Sequence, residues 1–220
     1  AKLNVTSILC SCLATHALIQ HCFGIERTPL PAKRWGVFSH QVIDRSHPLT
    51  SEMNTRFDVP HSRFNEVFQK DLEKFGVKVL VSSQDAGVHL AVSPDGFRVV
   101  FFQGHPEYDD ISLLKEYKRE VLRYYRDERN DYPPFPVNYF DQCSQELLLK
   151  YAEEVKQAKH FGRILKPMPE EQIIPLLDNT WRDSAKAVFN NWLGQVYQIT
   201  NEDRKLPFMD GIDPENPLDL

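Results

Sequence analysis

The sequence predicts an α/β protein in which a sheet is flanked by helices, and three observations support this prediction. Residues 3–9 have the apolar pattern of a strand, and residues 13–23 have that of a helix. Residues 89–92 and 97–102 are two further strand-like runs on either side of a Pro-Asp-Gly turn, which predicts a hairpin. Helical patterns follow these strands. Strands that alternate with helices are typical of an α/β sheet.

The first strand and helix meet at a cysteine-containing turn. A nucleophile on a sharp strand-to-helix turn needs small residues two positions before and two positions after it. Cys10 and Ala14 flank Cys12 in this way, whereas Ile8 would precede Cys10, so the pattern favours Cys12. The amides at the start of the following helix lower the pKa of a thiol placed there. The alternative is that both cysteines are small fillers of the core.

Periodicity predicts the other elements. In the first helix the apolar residues recur on one face, which we expect to be buried: Leu13, Ala17, Leu18 and Cys22. The other predicted strands are residues 36–44 and 77–81, and the other predicted helices are residues 65–75, 111–126, 145–160 and a last helix from residue 179. Proline-containing residues 47–49 and 58–63 are predicted to be loops, where binding residues concentrate.

The character of the chain changes after residue 127. Residues 131–141 are rich in proline and aromatic residues, and a second loop with three prolines covers residues 166–178. The predicted domains are therefore an α/β catalytic core, residues 1–127, and a helical extension that packs on it, residues 128–220.

Composition excludes several classes of function. The 220 residues carry a net charge of −5 and no basic stripe, so we expect no nucleic-acid partner. None of the four cysteines forms a CxxC pair, which predicts reduced intracellular thiols and no metal site. The uncharged run at the N-terminus is too polar for a signal peptide or a membrane span. We therefore expect a cytoplasmic protein without a membrane partner.

A second candidate for chemistry follows the apolar run 97–102. The predicted strand ends at Gly104, and His105 and Glu107 come next. Pro106 biases His105 toward extended geometry, in which residues two apart point to the same side. Ligands of such sheets bind at the carboxyl ends of strands, so a base and a carboxylate would be presented there together. Alternatively, His105 only ends a strand and Glu107 only begins a helix.

These motifs resemble the homoserine O-succinyltransferase and O-acetyltransferase family, which is built on a flavodoxin-like fold of the class I glutamine amidotransferase type. The resemblance runs without gaps over residues 5–119 and resumes at residue 179. Its most specific landmarks are Pro60-His61-Ser62-Arg63, Gly104-His105-Pro106-Glu107-Tyr108-Asp109, and Glu116-Tyr117 with Arg119.

The resemblance implies a ping-pong transfer of an acetyl or succinyl group from acyl-CoA to homoserine, in methionine biosynthesis. Cys12 would be the nucleophile, His105 the base and Glu107 the group that orients it. The residues that the resemblance assigns to substrate binding are Lys33, Ser62 and Arg119. It implies acyl-CoA as a co-substrate, no bound cofactor, and a homodimer.

The sequence also departs from the family pattern. Leu13 and His16 stand where the family has tryptophan and glutamine, and the segment between residues 127 and 178 is longer. Several strands that the family has before the nucleophile strand are missing from this chain, so a separate N-terminal fragment would complete the sheet. Two other functions therefore stay open: a thiol amidotransferase or hydrolase on the same residues, and a binding protein that only retains the fold.

Overall fold

The computed structural model describes residues 4–203 and 205–220, and the chain divides into two compact units. The first unit consists of Ala1–Arg34, Phe38–Glu107 and Thr180–Leu220, and the second of Trp35–Val37 and Tyr108–Asn179. The predicted domain boundary at residue 127 thus falls inside the second unit, and the last helix belongs to the first.

The first unit is organised by a mixed sheet. The strands are β1 Ile8–Ser11, β2 Thr28–Val42, β3 Arg56–Glu66, β4 Lys78–Ser83, β5 Gly87–Val92 and β6 Val99–Phe102. Their order is β1-β6-β5-β4-β2-β3. β1 pairs with β6 in parallel, whereas β6 with β5, β5 with β4, and β4 with β2 are antiparallel. Because β1 and β6 are parallel neighbours, the residues that follow both strands emerge at the same edge of the sheet.

Helices cover both faces of this sheet, which confirms the predicted α/β class. The helices of the chain are α1 Leu13–Phe23, α2 Gln69–Glu73, α3 Ser112–Tyr125, α4 Gln142–His160, α5 Glu170–Ile173 and α6 Arg182–Ile199. On one face, residues of α6 such as Val188 pack with Leu90 and Val100. On the other, Ile19 of α1 and Leu72 of α2 pack with the neighbouring strand residues. Each such fully buried side chain contributes about 1.5–3 kcal/mol.

The buried face of α1 differs from the predicted one. Thr15, His16 and Ile19 are buried, whereas Leu13 is 62% exposed. The hydroxyl of Thr15 lies 2.8 Å from the carbonyl of Phe102, and the His16 ring lies 3.0 Å from the Gln103 amide oxygen. Polar side chains can be buried when such partners are present. A prediction from the spacing of apolar residues does not find buried polar side chains of this kind.

The predictions for residues 58–63 and 65–75 were wrong. Residues 58–63 belong to β3, which is the last strand in the sheet order and accommodates Pro60, because edge strands tolerate proline. The helix predicted over residues 65–75 covers only Gln69–Glu73, because β3 continues to Glu66. The Gln103 side chain then accepts from the amide of Val67 and donates to its carbonyl, which occupies both backbone groups.

The second unit contains α3, α4 and α5. Val37 donates to the carbonyl of Val137 and Val137 to that of Trp35, at 2.8 and 2.9 Å. Gly36 between them has a φ of +141°, and a Cβ there would lie 2.2 Å from the Val137 oxygen, so only glycine fits. Tyr117 of α3 is fully buried against aromatic rings. In the part of the chain that the structure describes, no helix has the length and apolar character needed to cross a membrane.

Candidate active site

Cys12 occupies a sharp turn between β1 and α1. Its φ of 50° and ψ of −111° are unusual for a residue with a side chain, a conformation that costs about 1–3 kcal/mol. The turn is held by the amide of Cys12, which donates to the carbonyl of Phe102 at 2.8 Å, and by its carbonyl, which accepts from the amide of His16. The side chain is therefore presented at the start of a helix, half-buried, at the edge where β1 and β6 end.

Cys10 has a different environment, although it lies only two residues away. It is 6% exposed, and its thiol donates to the carbonyl of Val100. Burial raises the pKa of Cys10 to about 11. Because a neutral buried thiol is a poor nucleophile, the geometry favours Cys12 over Cys10.

His105 and Glu107 follow β6 at the same edge. The amide of His105 donates to the carbonyl of Pro60 at 2.8 Å, and His105 Nδ1 lies 2.8 Å from Glu107 Oε1. The His105 side chain also forms a hydrogen bond with Cys12. Since Nδ1 faces the carboxylate, Nε2 is the ring nitrogen left for the thiol. The structure thus brings together the three residues predicted to carry the chemistry.

The electrostatics of this group favour an ion pair. Burial acts to lower the pKa of His105, but hydrogen bonds to Cys12 and Glu107 outweigh it and raise the pKa to about 9. Burial acts to raise the pKa of Glu107, but the charge and hydrogen bond of His105, together with hydrogen bonds from the Glu107 amide and Ser11, lower the net pKa. At neutral pH the histidine is therefore protonated and the carboxylate ionised.

Gly104 allows the backbone before His105 to approach β3 closely. A Cβ at this position would lie 2.7 Å from Val59 Cγ1 and 2.9 Å from two atoms of the His61 ring. A larger residue would push His105 away from Pro60, whose carbonyl accepts its amide. The glycine that marks the end of the strand in the sequence therefore also sets the position of the histidine.

A cluster of buried histidines lies next to this segment and was not predicted. His40, His61 and His89 are each at most 3% exposed. Arg63 Nε donates to His61 Nδ1, so neutral His61 carries its proton on Nε2, which faces His40 Nε2 at 3.2 Å. His40 then donates from Nδ1 to the carbonyl of Phe38. The sequence signal was hidden because residues 58–63 were interpreted as a loop.

Burial controls the protonation of this cluster. It lowers the pKa of His40 to about 4, and it holds the pKa values of His61 and His89 well below the ordinary value. All three rings are therefore neutral at physiological pH. Within residues 4–203 and 205–220, no group of three or more His, Cys, Asp and Glu side chains could hold a metal ion.

The predicted substrate-binding residues are distributed over both units. Lys33 on β2 lies with its Nζ 5.8 Å from the centre of the Phe64 ring, and half-buried Ser62 lies on β3. Both belong to the same unit as Cys12. Arg119 lies on α3 in the second unit, where its exposed side chain pairs with Glu120 at 3.5 Å.

Comparison with known proteins gives a consistent result. The model of the HTS family, described as homoserine O-succinyltransferase, matches residues 1–202. Homoserine O-succinyltransferases from Methylobacter tundripaludum and Methylococcus capsulatus are 70% and 62% identical over the whole chain. The chain spans 62% of the length of each of these relatives. A glutamine amidotransferase from Thermotoga maritima matches 85% of this chain and 60% of its own with 13% identity, and its TM-score of 0.43 is too low to assign a site.

Proposed function

Because the chain belongs to the homoserine O-succinyltransferase family, we propose that its Cys12 centre transfers an acyl group from acyl-CoA to the hydroxyl of homoserine. The observation that supports this most is the contact of one thiol, one imidazole and one carboxylate, Cys12, His105 and Glu107, at a single sheet edge. Such a set contains a nucleophile, a base and a group that orients the base. The proposal includes a role in methionine biosynthesis, in the cytoplasm, with acetyl-CoA or succinyl-CoA as donor.

The first half-reaction forms an acyl-enzyme. The Cys12 thiolate attacks the carbonyl carbon of the acyl-CoA thioester, a new bond forms between that carbon and the cysteine sulfur, and the bond to the CoA sulfur breaks. Protonated His105 supplies the proton for the departing CoA thiolate. The raised pKa of His105 supports this step, because the ring carries the proton before the donor arrives.

The second half-reaction uses the opposite proton transfer. Neutral His105 now accepts the proton of the homoserine hydroxyl, the hydroxyl oxygen attacks the acyl carbon, and the Cys12 sulfur leaves as a thiolate. The carboxylate of Glu107 accepts a hydrogen bond from Nδ1 and so keeps Nε2 free to receive the proton. Protonated His105 and the Cys12 thiolate are then restored, and the cycle is complete.

The proposed substrate-binding residues are those that the resemblance to the family assigns. Lys33, Ser62 and Arg119 would bind homoserine or the acyl group, since cations and a hydroxyl suit carboxylates. For Arg119 the proposal rests on the resemblance alone. Assembly as a homodimer, and an N-terminal segment that completes the sheet, belong to the same proposal.

Mass spectrometry of the protein after incubation with acyl-CoA tests the nucleophile. We expect a covalent acyl group that peptide mapping places on Cys12, free CoA thiol in equal amount, and discharge when homoserine is added. Cys10→Ala and Cys22→Ala should keep the adduct, and Cys12→Ala should lose it. The exposed Cys22 controls for non-specific acylation.

An adduct on Cys10, or transfer without any covalent species, would contradict this assignment. Glutamine is the second substrate to test: release of ammonia from it without release of CoA thiol would favour the amidotransferase alternative.

A further inference from the structure

Ser11 precedes Cys12 in the chain, and its hydroxyl contacts the carboxylate of Glu107. It is the last residue of β1, opposite Phe102 in the parallel pairing, and it directly precedes Cys12. Its Oγ lies 3.1 Å from both carboxylate oxygens of Glu107 and 3.1 Å from the carbonyl of Gly104. A hydroxyl has one proton to donate, and a charged acceptor is favoured over a neutral one. The Ser11 proton therefore points to Glu107.

This second contact matters because Glu107 is not held by burial. Its side chain is 53% exposed and lies in a turn. A long glutamate side chain loses conformational entropy when it is fixed in one rotamer. The ion pair with His105 offsets only part of that loss, because solvent screens the exposed side of the carboxylate. The Glu107 carboxylate also bonds to its own backbone amide, and the charge-assisted bond from the Ser11 hydroxyl ties it to the end of β1.

We propose that Ser11 is a positioning residue, which holds the Glu107 carboxylate against His105 Nδ1 and thereby keeps Nε2 directed at Cys12. The proposal rests on the function proposed above. Ser11 makes no bond to substrate and takes part in no proton transfer. It acts through Glu107 alone.

The position of Ser11 in the chain couples this contact to the position of Cys12. Nucleophile and anchor are consecutive residues, so a displacement of the end of β1 moves Cys12 and the support of Glu107 together. The parallel register with β6 sets both with respect to His105. The pairing of β1 with β6 thus sets Cys12 and Ser11 together with respect to His105, which β3 also holds through the Pro60 carbonyl.

A double-mutant cycle with Glu107→Ala tests the proposal. Ser11→Ala should lower kcat about tenfold, or about 1.4 kcal/mol, with the KM of acyl-CoA unchanged. In the Glu107→Ala background the same change should have no further effect. Ser11→Thr keeps the hydroxyl and should restore most of kcat. Equal losses in both backgrounds, or wild-type kcat in Ser11→Ala, would overturn the proposal.

Titration of the His105 ring by NMR gives a readout that needs no turnover. Cys12 and Glu107 are the groups that bond to this ring, and the nearby rings of His61 and His89 stay neutral. Ser11→Ala should lower the pKa of His105 toward that of the Glu107→Ala variant, and an unchanged pKa would contradict a positioning role. If the wild-type protein shows the expected titrations but transfers no acyl group, the proposed function fails and the role of Ser11 remains supported.

Discussion

Two groups of histidines in the first unit lie close together and behave in opposite ways. His105 has a pKa raised to about 9, whereas burial lowers that of His40 to about 4 and keeps His61 and His89 neutral. His61 lies against Gly104, the residue before His105. Burial acts in the same direction on all four rings. The comparison shows that the charge of the hydrogen-bond partner decides whether a largely buried histidine has a raised or a lowered pKa.

The partners explain the difference in detail. His105 contacts a carboxylate and a thiol, both of which can carry negative charge. The buried rings contact each other, a backbone carbonyl and the cation of Arg63. A proton added there would face a guanidinium at close range. The cluster is therefore neutral: a hydrogen bond joins His40 of β2 to His61 of β3, and the ring of His89 on β5 packs edge-on against both.

The largest effect should come from removing the imidazole of His105. His105→Ala should lower kcat by roughly 10² to 10⁴-fold, since general acid–base catalysis contributes about that much. Acyl-enzyme should form more slowly and persist in the presence of homoserine. Steady-state kinetics and intact mass measure both effects. The exposed His21→Ala is the matched control and should match the wild type.

A smaller effect is expected from disrupting the buried cluster. Arg63→Ala removes the donor to His61 and to the carbonyls of Asn65 and Ala86. Among the residues that the structure describes, it leaves Glu66 paired with Arg34 at 3.5 Å. The free energy of unfolding should fall by about 3 kcal/mol, because the change leaves buried acceptors without their donor and removes one of the two cations that face the buried Glu66 carboxylate. Urea unfolding measures it.

Lys74→Ala, which removes an exposed pair with Asp71 in the same unit, is the control and should change the free energy of unfolding by less than about 0.5 kcal/mol. If both variants unfold at the same urea concentration, the cluster has no supporting role.

The most gradual effect is the dependence of stability on pH, whose slope is at most about 1.4 kcal/mol per pH unit for each group. The raised pKa of His105 contributes stability that is fully present below about 6.5 and is lost as the pH rises through 9. The lowered pKa of His40 contributes stability that is present above about 6.5 and is lost as the pH falls through 4. Unfolding free energies across this range should therefore pass through a maximum.

Glu107→Gln should weaken the loss on the alkaline side and leave the contribution of His40 on the acid side. If the alkaline side of the profile is the same in Glu107→Gln and the wild type, His105 does not depend on the carboxylate.

The features that could be predicted from sequence were local. The strand and helix around Cys12, the hairpin of β5 and β6, and helices α3, α4 and α6 have their signals in consecutive residues: apolar periodicity and a Pro-Asp-Gly turn. β3 was missed because Pro60 was interpreted as a break, and an edge strand cannot be recognised before the sheet order is known.

The site follows the same rule. Cys12 and the His105–Glu107 pair were each visible as residues that follow a strand. Their meeting depends on the parallel pairing of β1 with β6, which no short stretch encodes. The contact of Ser11 with Glu107 is a consequence of that register, and so are the partners that allow Thr15 and His16 to be buried.

The backbone of Cys12 makes residue 12 a position where selection for folding and selection for chemistry favour different amino acids. Glycine reaches a φ of 50° without the steric conflict that a Cβ introduces. A library screened only for resistance to unfolding should therefore enrich glycine there and discard the thiol. In a lineage that lost the proposed reaction, Cys12 would be among the first residues to be replaced, while the fold around it persisted.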